Sequence, residues 1–276
     1  MHVALSMLTL VPGGMGGSET YARALTAQLA EVAAVDATAY VPSNARGFSE
    51  GIPEIVVESV TGGPSTRARL GAVISAGAHS RSIRASMAQA DVVHYPFTVA
   101  VPRPGRRQAM VQTLLDVQHL DLPQLFGRAE LLYRRRFYEG TARHADVVIT
   151  ISEFAKRRMV ELLGLPAERI HVAHLGVDTA RFIPNLGPRE NFVLYPARGW
   201  AHKNHARLIE AMAIVRREFP GIRLVLTGGA LDTLGDLPDW VDRRGLVPTA
   251  ELHELYRSAA ALAFPSLYEG FGLPPL

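Results

Sequence analysis

The stretch Asn191–Gly229, NFVLYPARGWAHKNHARLIEAMAIVRREFPGIRLVLTGG, decides the fold. NFVLYPA is a short apolar run of the kind that forms a buried strand. HARLIEAMAIVRREF carries apolar residues at helical spacing, and IRLVLTGG is a second apolar strand closed by glycines. A strand, a helix and a strand in that order make a parallel pair, because the helix carries the chain back along the sheet. The intervening turn, ARGWAHKN, stands at the carboxyl end of the first strand. It gathers Arg198, His202, Lys203 and Asn204 before a helix N-terminus. Arg and Lys converging on helix amides form an anion clamp. A solvated basic loop has the same composition, and spacing alone leaves both open.

The same alternation runs outward in both directions. Towards the C-terminus follow DRRGLV, the helix TAELHELYRSA and the strand AALAFPS. Towards the N-terminus, the segment from Asp178 to Glu190, DTARFIPNLGPRE, interrupts the rhythm with two prolines. The domain boundary is expected there, giving domains 1–180 and 181–276. The first domain opens with HVALSMLTLV as a strand. SETYARALTAQLAEVA then reads as a helix with Ser18 as its N-cap. VDATAYV, EIVVESV, DVVHYP, AMVQTLLD, DVVITIS and IHVAHLGV read as further strands. Between them lie an arginine-bearing helical segment from Thr66 to Gln89, the amphipathic RAELLYRRRFYEGTARHA, and EFAKRRMVELLG behind the cap Ser152. The expected class is α/β, with two doubly wound parallel sheets covered by helices on both faces. The second sheet has about four strands, fewer than the five or more usual for such a sheet.

At 276 residues, 48% hydrophobic and 20% charged, the chain is globular in composition and long enough for two cores. It has no cysteine, so disulfides, thiolate metal sites and a cysteine nucleophile are excluded. The net charge of +3 suits anionic ligands or an anionic surface and does not imply nucleic acid. The N-terminus lacks the basic region and cleavage site of a signal peptide. No stretch has the length of a membrane span.

Three further stretches stand at strand ends. PGGMGGSE, before the first helix, places four glycines in five residues, which suits a ligand approached closely by backbone at a helix N-terminus. It is not a dinucleotide fingerprint. Glu19 stands where the third glycine belongs, and the second strand ends without an acidic residue for a ribose. LLDVQHLDLPQLF sets Asp116, Gln118, His119 and Asp121 at the carboxyl edge of the sheet; on spacing alone, a lone loop histidine is a surface residue. PSLYEGFGLPPL holds Glu269 among glycines, with Pro274 and Pro275 suited to a first helical turn. A glycine-rich connection with an exposed glutamate would look the same.

Taken together, GGMGGSE, DVQHLDLP, ISEFAKRRM, HLGVD, ARGWAHKN and FPSLYEGFGLPPL resemble the landmarks of the retaining GT-B glycosyltransferases of family 4, a group that includes bacterial mannosyl- and glucosyltransferases of polysaccharide and glycolipid synthesis. The resemblance runs in order along the whole chain. It implies a GT-B fold of two Rossmann-like domains facing across a cleft, with the nucleotide-sugar held mainly by the C-terminal one and the acceptor by the N-terminal one. Arg198 and Lys203 would hold the donor diphosphate, and Gly16 and Gly17 would approach it. His119 would lie beside the donor sugar. Glu269, with the amides of Gly270, Phe271 and Gly272, would hold the sugar hydroxyls. The partners implied are a nucleoside-diphosphate sugar, mannose among its candidate sugars, and a saccharide or lipid-linked acceptor. No metal or other cofactor is expected, and the chain has no D-x-D triplet.

In that family a second glutamate follows the first after seven residues. Counted from Glu269 it falls at position 277, so the C-terminal domain is expected to be incomplete in this chain. Expected competitors are a catalytically inactive nucleotide-sugar-binding fragment, or another GT-B enzyme such as an epimerase or phosphorylase. The arginines of YRRRFY and of the Thr66–Gln89 segment are either a solvated face or a contact to anionic lipid. The expected location is the cytoplasm, with peripheral membrane contact at its inner face as the minority alternative.

Overall fold

The computed structural model describes residues 1–177 and 185–276. The chain divides into two compact units, Met1–Leu175 and Gly176–Leu276. The expected boundary between residues 180 and 181 lies outside the described residues.

The first unit runs β1 (His2–Ser6), α1 (Gly17–Ala30), β2 (Asp36–Pro42), β3 (Glu54–Val57), α2 (Thr66–Ala78), α3 (Ser80–Ser86), β4 (Val92–Tyr95) and β5 (Ala109–Thr113). It continues with α4 (Gln118–Asp121), α5 (Arg128–Arg134), α6 (Gly140–His144), β6 (Val147–Thr150), α7 (Glu153–Leu163) and β7 (Ile170–Val172). All seven strands are parallel, in the order β3-β2-β1-β4-β5-β6-β7. The order reverses between β1 and β4, which opens a crevice at their carboxyl ends. Strands covered on both faces are apolar at successive positions, and Ala4, Leu5, Val93 and Val148 are all buried.

Two expectations are corrected here. The apolar run HVALSMLTLV is a strand only to Ser6; Leu10 N then donates to Met7 O, turning the chain. Leu8 and Leu10 are buried all the same, because this loop packs into the core, so their apolar character reports burial rather than strand. Ser18 does not cap α1, which begins at Gly17 behind Gly16 and has no side-chain cap. Gly16 has φ 56° and ψ −130°, a conformation open to glycine and closed to a serine. Ser152 does cap α7, its Oγ accepting from Ala155 N at 3.1 Å. The Thr66–Gln89 segment is two helices broken at His79.

The second unit runs β8 (Glu190–Pro196), α8 (His205–Val215), β9 (Arg223–Thr227), β10 (Val241–Gly245), α9 (Thr249–Ser258) and β11 (Ala259–Leu262). Its described strands form a parallel sheet of order β10-β9-β8-β11. The chain builds outward from β8 in one direction, then returns to lay β11 on its other side. The loops that leave β8 and β11 at their carboxyl ends are therefore neighbours. Pro274 and Pro275 lie in a turn closed by Leu276 N to Leu273 O at 3.1 Å.

Candidate functional site

The loops after β8 and β11 meet at the reversal of strand order in the second unit, where backbone and side-chain contacts lace them together. Leu267 N donates to His202 O at 2.8 Å, and Asn204 Nδ2 donates to Pro265 O at 3.1 Å. The buried Tyr195 hydroxyl donates to Lys203 O at 2.7 Å and lies 3.1 Å from Ser266 Oγ. Lys203 Nζ contacts Glu269 Oε1 at 2.5 Å, with the two side chains only 14% and 23% exposed. An ion pair so shielded is screened far less than a surface pair. Asn204 adopts the left-handed conformation, φ 60°, at the head of α8, and so turns the chain from the loop into the helix.

Arg198 stands on the same loop, its guanidinium 5.3 Å from the centre of the half-exposed Trp200 ring. The loop after β9 packs against it: Gly199 N donates to Gly229 O at 3.0 Å, and Thr233 Oγ1 donates to Gly199 O at 3.0 Å. A Cβ at Gly199 would stand 2.0 Å from Ala230 O, so only glycine permits this approach. Arg198, Lys203 and Glu269 are thus brought to one sheet edge, with Gly270, Phe271 and Gly272 following Glu269 on the same loop. Tyr195, which ties the two loops together, was not singled out in the sequence. Its only signal there is a hydroxyl at an otherwise apolar strand end.

In the first unit, Gly16 and Gly17 form the start of α1 beside the crevice at β1. Gly13 N donates to Glu19 Oε1 at 3.1 Å, folding the glycine loop back on the first helical turn. His119 lies on α4, after β5, and is 2% exposed rather than a surface residue. Its ring faces Tyr138 edge-on at 6.3 Å, and its Nε2 lies 3.4 Å from Glu139 Oε1. Burial and the nearby Arg134 lower its pKa to about 4 against the pull of Glu130, so the ring is neutral and the contact to Glu139 is not an ion pair at neutral pH. Asp121 is taken up structurally: Arg158 Nε donates to its Oδ2 at 3.1 Å and Arg158 Nη2 to its Oδ1. Asp116 Oδ1 accepts from Gln118 N at 3.0 Å. Glu139 was also missed, because it follows three arginines in a helix that reads as a solvated face.

Residues 15–181 match the family model described as Glycosyltransferase Family 4, well over half of the chain. The chain belongs to Glycosyltransferase Family 4. Residues 177–276 of this glycosyltransferase match the model described as Glycosyl transferases group 1. It is 26% identical over 194 residues to O-antigen chain mannosyltransferase B of Escherichia coli, covering 63% of this chain and 51% of the relative. It is 30% identical over 159 residues to the MMP alpha-(1->4)-mannosyltransferase of Mycolicibacterium hassiacum, covering 51% and 38%. The chain spans about half the length of the curated relatives it matches. Among solved structures, the apo form of the lipopolysaccharide outer core galactosyltransferase WaaB matches with a TM-score of 0.56 at 15% identity. That match covers 98% of this chain and 76% of the other. The glycosyltransferase has the GT-B fold.

Proposed function

We propose that this glycosyltransferase moves a hexose, with mannose the first candidate, from a nucleoside-diphosphate sugar to a saccharide or lipid-linked acceptor, with retention of configuration. The observation that carries the proposal is the convergence of Arg198, Lys203 and Glu269 where two loops meet at the reversal of strand order. Mannose is favoured by the mannosyltransferases among its relatives.

The roles follow from charge. As the bond between the sugar's anomeric carbon and the diphosphate oxygen breaks, negative charge grows on the leaving group. Arg198 and Lys203 stabilise it, and the resting contact of Lys203 with Glu269 keeps the ammonium aimed before donor arrives. Glu269 accepts hydrogen bonds from the sugar hydroxyls, assisted by the amides of Gly270, Phe271 and Gly272. Gly16 and Gly17 supply backbone close to the diphosphate, and His119 serves the donor sugar. The acceptor oxygen forms its bond to the anomeric carbon on the face the diphosphate leaves, and its proton passes to the departing phosphate oxygen. The cations take the place a metal ion would hold, so no metal is required.

Transfer with purified protein tests this. Proton NMR of the transfer product is expected to show the new glycosidic bond in the donor's anomeric configuration. An inverted product would overturn retention. Hydrolysis or epimerisation of the donor with no transfer to any saccharide or lipid-linked acceptor would overturn the reaction class.

A further inference from the structure

We infer that Glu139 is a positioning residue for His119, holding the buried imidazole as its Nε2–H tautomer so that Nδ1 keeps the lone pair that accepts from a ligand hydroxyl. This rests on the assignment of His119 to the transfer site, and the test below separates the two.

Three features of the first unit carry it. First, neither ring nitrogen of His119 has a hydrogen-bond partner in the protein, although the side chain is 2% exposed. Leaving a buried polar atom unsatisfied is costly, so a ring with two such atoms is a site awaiting a partner rather than a piece of packing. Second, the Glu139 carboxylate lies 3.4 Å from Nε2 and is itself only 12% exposed. A neutral imidazole has one proton to place between two nitrogens. Set on Nδ1, it would leave the Nε2 lone pair facing an anion. Set on Nε2, it faces the anion itself and leaves Nδ1 as the acceptor.

Third, the backbone is built to bring Glu139 there. Between α5 and α6 the helix opens into a π-helical turn, Arg135–Glu139, whose last residue is this glutamate. One extra residue in a turn rotates everything beyond it by about 100° relative to an uninterrupted α-helix. The other charged groups around the pair are Arg134 and Glu130, and Arg143, whose Nη2 lies 3.8 Å from Glu139 Oε2. None of these groups, Glu139 included, hydrogen-bonds the ring in the resting structure; Glu139 is the carboxylate that lies within 4 Å of a ring nitrogen, and it is on that proximity that it is assigned as the orienting group. Orienting carboxylates behind imidazoles act in this way elsewhere, by fixing tautomer and ring direction.

The test is nitrogen NMR of the whole chain labelled at histidine, with His119 assigned by its loss in His119→Gln. The wild type is expected to show a pyrrole-type Nε2 and a pyridine-type Nδ1. Glu139→Leu should mix the tautomers and lower kcat by about 10- to 100-fold with the donor KM unchanged. Glu139→Gln, which keeps an electronegative oxygen beside Nε2, should restore the tautomer and much of the rate. A wild-type proton on Nδ1, or a Glu139→Leu spectrum identical to wild type, overturns the inference. Should Glu139→Leu fail to fold, the wild-type spectrum decides alone. His119→Ala with undiminished kcat would instead remove His119 from the transfer site and leave the tautomer result standing.

Discussion

Lys203 and Glu269 are 66 residues apart in the chain and 2.5 Å apart in the fold. Neither is distinctive alone: a lysine in a basic turn and a glutamate among glycines are ordinary surface features. Their meeting in a partly buried place gives each a directed role. The buried histidines are directed in another way. Burial lowers His94 to a pKa of about 4, its Nε2 lying 2.8 Å from Thr113 Oγ1, and lowers His119 to about 4 as well. The unfolded chain takes up protons at these rings near pH 6.5 while the folded chain does not. Their contribution is therefore fully present above about pH 6.5 and is lost as pH falls towards 4, on the order of 3 kcal/mol for each ring. Urea unfolding measured from pH 7 to pH 4.5 should show stability falling across this window, with a shallower slope for His94→Gln. Equal slopes for the variant and the wild type would refute this assignment to His94.

At the scale of elements, the loops after β8, β9 and β11 behave as one assembly. Gly199→Ala would drive a Cβ to 2.0 Å from the Ala230 carbonyl oxygen. The second unit should lose about 1–3 kcal/mol of stability, and nucleotide affinity should fall with it as Arg198 is displaced. Unchanged denaturant midpoint and affinity would show that the close approach is not required. Most strands and helices were legible in the sequence, because apolar runs and helical spacing report burial directly. The element starts were less so: Ser18 has the chemistry of a cap, but the backbone enters α1 through a conformation that Gly16 alone can adopt. Arg198 and Lys203 were legible as a clamp, since strand, turn and helix are contiguous in the chain. The residues that bind the turn to its neighbour were not legible from local spacing, because the return of β11 to the side of β8 is a property of the whole sheet. Glu139 was hidden by the π-helical turn, which breaks the 3.6-residue period on which a helix-face reading depends.

At the scale of the molecule, two parallel sheets each reverse strand order once, and each presents its loops at the carboxyl edge. The first unit also exposes Ile74 on α2 and Leu132 on α5, 63% and 68% accessible, together with Arg67 and Arg128 of the same helices, whereas Arg69 and Arg134 are paired with Glu130. Among the described residues no helix is long and apolar enough to cross a membrane. We propose that these exposed apolar and arginine side chains give the protein a peripheral contact with an anionic membrane surface. Co-sedimentation should then be stronger with anionic than with neutral vesicles and should weaken at high salt; equal binding to both would remove the proposal. The central claim is the anion clamp of the second unit. Calorimetric titration of the wild type, Arg198→Ala and Lys203→Ala with UDP and with GDP tests it most directly. One of the two nucleotides is expected to bind the wild type, with affinity at least about 10-fold weaker in each variant, a loss of about 1.4 kcal/mol or more. Equal affinity in all three proteins would contradict the clamp.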